Sequence, residues 1–490
     1  MTDINPDELD IALRVLKEAG ELPQDHPQAV ILHHAVSKLF KTVKKNRRSV
    51  AKQQRRLADA QVLAATATAN PRRIDDETAG LLIAPKGQKP IPLEVGAVAT
   101  PHGFAGRLNK SHNCYICKQP YTLVDSFHHQ LCPDCASDNR QRREQRVDLT
   151  GRRALLTGGR AKIGMYIALK LLRDGAHLTI TTRFPKDAIR RFTAIPDSSE
   201  WLERLRVVGI DLRNPARVEE LAAMVGESPL DILINNAAQT VRRSPGAYSG
   251  LVSAEAQPLS GLQNDVALLE LGVPTNIHPE SLERKKNHRS LMDSPGVLDA
   301  NDAQTIAALA MRAGNDSRGV DAGGLIPDLV NHNSWVAKVG DIDPVEMLEV
   351  QLCNATAPFI LLNRLRPALE ASSARRKYVV NVSAMEGVFG RGYKGPGHPH
   401  TNMAKAALNM LTRTTATEMF EHGVLVTAVD TGWITDERPH TTKTRLANEG
   451  FRAPLDLVDG AARVYDPIVQ GENGVDLYGC FLKDYRPHPW

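Results

Sequence analysis

The sequence has no long hydrophobic run. Nowhere in its 490 residues do eighteen or more apolar residues follow one another, so no membrane span is expected. Its opening, MTDINPDELD, is polar and acidic, unlike the basic start and apolar stretch of a signal peptide, and a cytoplasmic location is expected. Strong charge of either sign is missing as well. The net charge of +5 permits an acidic or phosphorylated partner and requires none. Aromatic residues make up 5% of the chain and no basic patch is rich in them, which argues against base stacking and against nucleic acid as the main ligand. No internal repeat is evident. Cysteine is scarce, with six in all, and four of them fall within one stretch of 22 residues. In a cytosolic chain such clustering points to a metal and not to disulfides.

An apolar fraction of 42% is enough for a sizeable core, and the length calls for more than one domain. Residues 1–100 read as a helical N-terminal segment and a linker. Val36, Val43, Val50 and Leu57 recur every seven residues, with Leu39 between two of them, and KKNRR and KQQRR form a solvated basic face. The Pro- and Gly-rich residues 70–100 read as a linker or an extended docking segment. Residues 101–147 hold the cysteine module and a basic connector, RQRREQR. From residue 148 short apolar runs alternate with helical stretches: ALLT, MYIALKLLRDG, HLTITTR, RVVGIDL, DILINN, KYVVNVS and VLVTAVD. Runs of this length suit parallel strands buried on both faces. They predict an α/β fold, a doubly wound parallel sheet of Rossmann-like type, over residues 148–240 and 334–490. Residues 241–333, polar and rich in Gly, Pro, Asn and Asp, read as an insertion, either a lid or a partly disordered excursion.

The stretch CYICKQPYTLVDSFHHQLCPDC has the spacing C-x2-C-x14-C-x2-C. Two close thiolate pairs, Cys114 with Cys117 and Cys132 with Cys135, can close a tetrahedral Zn2+ site with no open position. Such a site serves folding or docking, not catalysis, and makes the module a candidate surface for a protein partner. His128 and His129 are competing ligands. Cys353 and Cys480 are expected to be buried core thiols. Further on, RRALLTGGRAKIGMYIALKLLRDGA reads as strand, Gly-rich turn and helix. Amide groups at such a helix start suit a pyrophosphate.

The landmarks that follow, in their order, resemble the short-chain dehydrogenase/reductase family. TGGRAKIG is similar to its TGxxxGxG cofactor loop and places Thr157, Gly158, Gly159, Arg160, Ile163 and Gly164 there. Lys162 stands where the middle glycine would, and its ammonium could pair with a phosphate. Asp211 matches an acid that contacts adenine. NNAA, with Asn235 and Ala237, resembles the family's NNAG. Asn354 and Lys405 match its catalytic asparagine and lysine. The resemblance implies a nicotinamide-dependent oxidoreductase acting on a carbonyl or alcohol. After the second strand, where an acid would hold the NAD ribose, the sequence has Arg183. With Arg160 it favours NADP(H) over NAD.

The resemblance breaks at two hydroxyls. The family's tyrosine, four residues before the lysine, is Thr401 here. Its serine, three residues before Gly387, is Ala384, with Ser383 one place earlier. A threonine hydroxyl is far less acidic than a phenol, whose reference pKa is about 10, and cannot simply replace it as a general acid. The proton donor is therefore expected elsewhere: at His400 first, then Tyr393, His398 or Glu386, or in a water relay anchored by Lys405 and Asn354. Thr401 itself could hydrogen-bond the substrate. In DTGWITDE, Gly432 is retained and Thr435 takes the amide-contacting place. Asp430 and Asp436 are extra acids whose expected role is strand-end and cap chemistry.

Three readings follow. The first is an oxidoreductase for a small-molecule or carrier-bound substrate, recognised by the insertion and the zinc module. The second is a catalytically inactive NADP(H)-binding scaffold or redox sensor acting through the zinc module. The third is a zinc-ribbon nucleic-acid binder using the basic helix and RQRREQR. A homo-oligomer through the helices beside Lys405 is open, although the insertion could block that surface.

Overall fold

The computed structural model describes residues 4–69, 103–272, 321–434 and 437–490. The linker at 70–100, Thr435 and Asp436 lie outside the described residues. Two helices, α1 (Pro6–Glu21) and α2 (Pro27–Ala64), form an N-terminal arm, each with proline in its first turn. The seven-residue stripe of α2 is exposed at Val36, Leu39, Val43, Val50 and Leu57. Near the end of the helix Asp59 accepts the amide protons of Asn109 and Lys110 at 2.7 and 3.2 Å, tying the arm to the cysteine module.

That module is an antiparallel hairpin, β1 (Phe104–Asn113) and β2 (Pro120–Asp125), followed by α3 (Pro133–Glu144). Most of RQRREQR belongs to α3 and is not a free connector. Its arginines bind the sheet domain: Arg142 to Asp466 at 2.6 Å, Arg143 to Asp456 at 2.7 Å and to Asp459 at 3.2 Å, and Arg146 to Asp174. His128 adds a contact to Asp459 at 3.1 Å. The basic run is thus spent on acids of the same chain.

The main domain runs β3 (Arg153–Thr157), α4 (Lys162–Arg173), β4 (His177–Thr182), α5 (Pro185–Thr193), β5 (Leu205–Gly209), α6 (Pro215–Gly226), β6 (Ile232–Asn235), α7 (Ser249–Ala256) and β7 (Ala267–Glu270). It continues through α8 (Pro344–Gln351), α9 (Ala357–Glu370), β8 (Lys377–Ser383), α10 (Pro399–Glu421), β9 (Val424–Asp430), α11 (His440–Asn448), α12 (Leu457–Glu472), β10 (Phe481–Lys483) and β11 (Arg486–His488). Among the described residues the sheet has nine strands in the order β11-β10-β9-β8-β6-β3-β4-β5-β7, and all its pairs are parallel except β10 with β11. This is the expected doubly wound, Rossmann-like sheet. Every residue of β8 and β9 is buried, which is why both read as unbroken apolar runs. Within the sheet the chain runs outward from β3 through β4 to β5 and then returns to β6 on the other side of β3, and a crevice opens above the carboxyl ends of β3 and β6.

Part of the stretch read as an insertion belongs to this sheet. Strand β7 pairs with β5 from Arg206 and Ala267 to Gly209 and Glu270 and forms one edge. Residues 321–325 return over the cofactor loop, as described below. Residues Pro344–Glu370 form a stretch apolar and long enough to cross a bilayer, with mean hydropathy 1.3, although no eighteen of its residues are uninterruptedly apolar. Here its second half, α9, packs on α6 inside the domain.

Candidate active site

The cofactor loop between β3 and α4 depends on three glycines. Gly158 has φ 72°, and a Cβ on it would meet the Ala237 backbone at 3.0 Å. On Gly159 a Cβ would lie 2.6 Å from the Ile180 side chain, and on Gly164 2.0 Å from the Gly158 carbonyl oxygen. Only glycine fits these positions. Lys162 takes φ 54°, the left-handed conformation that glycine favours. That costs about 1–2 kcal/mol in a non-glycine residue. Its ammonium pairs with Asp321 at 3.2 Å, and Arg160 is held by Asp187 and by the Gly323 carbonyl. Arg183 lies across the Tyr248 ring at 5.2 Å and donates to its hydroxyl at 3.4 Å, facing the crevice.

Thr157 supports the loop from below: its Oγ1 accepts the amide protons of Asn236 and Ala237 at 3.0 and 3.1 Å. Asn236 donates to the carbonyls of Thr157 and Gly158 and borders the crevice. Asn235 instead is buried between strands and donates to Asn381 at 2.8 Å. The second asparagine of NNAA is thus the one at the site, and it was missed. Burial alone would raise the Asp211 pKa, but Arg213, at 2.5 Å, holds it below the usual carboxylate range.

At the other end of the crevice Asn354 sits in a π-helical turn, Leu352–Thr356. Such turns recur at functional sites. Its side chain accepts from the Gln239 amide at 2.7 Å and donates to the Gln239 carbonyl at 3.0 Å, fixing a wall residue. Lys405 on α10 is buried and donates to the Val382 carbonyl at 2.8 Å, and burial pushes its pKa down to about 8. One turn earlier Thr401 lines the crevice, 3% exposed, and its hydroxyl has no hydrogen-bond partner among the described residues. Ser383 spends its hydroxyl on Asn409 at 2.5 Å. Opposite Ser383, at the end of β9, burial pushes the Asp430 carboxyl up to about 6. Gly432 has φ 80° and lies against Leu455.

Neither His400 nor Tyr393 borders the crevice. The His400 ring is buried beside Glu346 at 3.4 Å, and Tyr393 points away, 76% exposed. His398 stacks on Trp335 with ring centres 3.9 Å apart, and it is Trp335 that faces the crevice. Glu386 does line it. The whole crevice encloses about 1080 Å³. That is at or above the upper end of ordinary ligand pockets, with room for a dinucleotide and a second reactant. Tyr115 and Lys118 of the cysteine module form part of its wall, a role no feature of their sequence announced.

The four sulfur atoms of Cys114, Cys117, Cys132 and Cys135 lie within 4.8 Å of one another. Cys117 and Cys132 are 3.7 Å apart, close to the edge of about 3.8 Å that a tetrahedron with zinc–sulfur bonds of about 2.3 Å requires. The donor set therefore fits a zinc ion. The neighbouring histidines are engaged elsewhere, His128 with Asp459 and His129 with Thr68 at 2.8 Å.

Residues 152–255 match the family described as short chain dehydrogenase, and residues 246–452 the one described as Enoyl-(Acyl carrier protein) reductase. An "Uncharacterized protein R665" of Acanthamoeba polyphaga mimivirus is 30% identical over 368 residues, covering 72% of this chain and 71% of that one. The "C-signal" protein of Myxococcus xanthus is 28% identical over 126 residues, 26% of this chain and 74% of its own. A "Probable oxidoreductase" of Streptomyces antibioticus is 37% identical over 94 residues, 19% of this chain and 30% of its own. Among solved structures, the RhlG/NADP complex of Pseudomonas aeruginosa aligns with 68% of this chain and 95% of its own at 20% identity and TM-score 0.41. The chain belongs to the short-chain dehydrogenase/reductase family, a class of oxidoreductases.

Proposed function

We propose that this protein is an NADP(H)-dependent oxidoreductase that interconverts a carbonyl and an alcohol, with Thr401 and Lys405 handling the proton. The substrate is a small-molecule or carrier-bound carbonyl compound. The observation that carries this reading is the buried Thr401 hydroxyl, unpartnered on the crevice wall one helical turn from Lys405. Residues four apart on a helix share a face. NADP(H), when bound, supplies or takes the hydride. The loop amides of Gly158 to Gly164 would hold its pyrophosphate and Arg183 its 2′-phosphate. Thr401 donates a hydrogen bond to the substrate oxygen. As negative charge grows there, the Thr401 proton moves to that oxygen while a bridging water passes one to Thr401 and takes one from the Lys405 ammonium. The products are an alcohol and a neutral amine. Asn354 keeps Gln239, and with it the crevice wall, in place. The family tyrosine and serine are replaced by Thr401 and Ala384, so no phenol is needed in this scheme. Four cysteines hold a structural Zn2+.

Lys405 must be protonated for reduction and neutral for oxidation. The rate of reduction is therefore expected to fall as pH rises through about 8, and that of oxidation to rise. A kcat/KM profile in both directions checks this. Thr401→Val keeps the side-chain volume and removes the hydroxyl. It should lower kcat by about 10²- to 10³-fold at little change in NADPH affinity. Near-normal turnover in that variant would move the proton donor to Asp430. Arg183→Asp should weaken NADPH binding by about 10²-fold and NADH binding far less. Equal weakening would refute the selectivity argument.

The scaffold reading is supported by the sequence match that puts Thr401 and Ala384 where the family has tyrosine and serine. It predicts tight NADPH binding with no NADPH consumption in the presence of any carbonyl.

A further inference from the structure

We propose that the cysteine module is a wall of the substrate end of the crevice, and that Tyr115 on its first knuckle helps decide which carbonyl or alcohol compounds enter. This rests on the oxidoreductase reading above. Tyr115 stands between Cys114 and Cys117, so an ion bound by those thiolates fixes the loop that carries it. Its hydroxyl accepts the amide proton of Trp433 at 2.9 Å. Trp433 belongs to the turn after β9, whose residues Asp430 to Ile434 line the crevice beside the end that holds Thr401 and Lys405. The Tyr115 ring is flanked by the Lys118 ammonium at 5.0 Å and the Lys483 ammonium at 5.8 Å, and all three side chains border the same space.

The knuckle is fixed from behind as well. The Tyr115 amide donates to the Gln130 carbonyl at 2.8 Å, and the Gln130 side chain donates to the Arg452 carbonyl at 3.0 Å. Two ends of the module thus hold the chain on both sides of α11, at Trp433 and at Arg452. A module with a purely structural task could sit anywhere on the sheet domain. This one puts an aromatic ring into the reaction crevice, against the turn after β9. A removable metal would then govern how the turn after β9 is held at the reaction end of the crevice.

The test uses the full-length, zinc-loaded protein with Tyr115→Phe and Tyr115→Ala. Zinc content should stay within about twofold of the unmutated protein, since neither variant touches the thiols. Amide exchange at 431–434 should quicken about fivefold or more in both, the size expected of one lost hydrogen bond. In Tyr115→Ala the KM ratio between benzaldehyde and the bulkier 9,10-phenanthrenequinone should shift by about tenfold or more, the range of a lost apolar contact in a pocket. Withdrawal of zinc by a chelator should quicken exchange at 431–434 and leave residues 157–164 unchanged. Unaltered exchange at 431–434 in both variants overturns the proposal. So does faster exchange with an unshifted KM ratio, because Tyr115 would then be only a strut. Failure of the unmutated protein to bind NADPH would instead sink the oxidoreductase reading, since exchange at Trp433 reports the contact without any cofactor.

Discussion

Lys405→Met should reduce turnover by about 10³-fold or more while the protein keeps its fold and its metal. The ammonium of Lys405 is buried, reaches the Val382 carbonyl, and faces the crevice one turn from Thr401. Methionine fills a similar volume without the charge, so the effect belongs to chemistry and not to packing. Stability points the same way. Burial lowers the folded-state pKa of this lysine to about 8, below its ordinary 10.5. Its contribution to stability is therefore complete only above about 10.5 and is lost as pH falls through about 8. At neutral pH the methionine variant should unfold at the same temperature as the unmutated protein or higher. NADPH consumption with a carbonyl panel, set beside a thermal melt, checks both halves. Retention of more than about a tenth of the turnover would exclude Lys405 as the proton source.

Cys117→Ser should destabilise the protein by about 4 kcal/mol or more and release its zinc. The hairpin β1–β2 and α3 make a small unit, and a metal supplies what a small core cannot. The loss would spread beyond the module. Arg142 and Arg143 reach Asp466, Asp456 and Asp459 in the sheet domain, and α3 is what aims them. If the module unfolds, the buried carboxylate of Asp459 loses His128 and Arg143, two of the cations that hold it charged, which is costly. Elemental analysis and a melt with and without chelator measure this. An unmutated protein that contains no zinc would end the claim.

The alternation of strands and helices was legible because a parallel sheet buries both faces of each strand. RALLT, HLTIT and KYVVNVS could hardly be read otherwise. Strand β7 was not, since ALLE is four residues long, lies at an edge and stands in a polar stretch. The fate of RQRREQR was hidden for another reason. A solvated basic face and a basic face docked on acids have the same composition, and its partners at 456–466 lie more than 300 residues away. Gly158, Gly164, Lys405 and Arg183, located from sequence, border the crevice, whereas Asn354 stands behind Gln239. His400 was singled out because it adjoins Thr401. On a helix, however, neighbours point about 100° apart, whereas residues four apart share a face. Lys405 therefore stays with Thr401, and His400 turns towards Glu346. Lys162 stood out as a departure from the family pattern, and only its φ of 54° shows that the backbone keeps the shape a glycine would give.

Calorimetric titration of the zinc-loaded protein with NADPH and with NADH tests the central claim most directly. The account predicts that NADPH binds well above NADH, since Arg183 faces the crevice and Lys162 holds the left-handed φ of a glycine. No binding of either nucleotide, or equal binding of both, would contradict it.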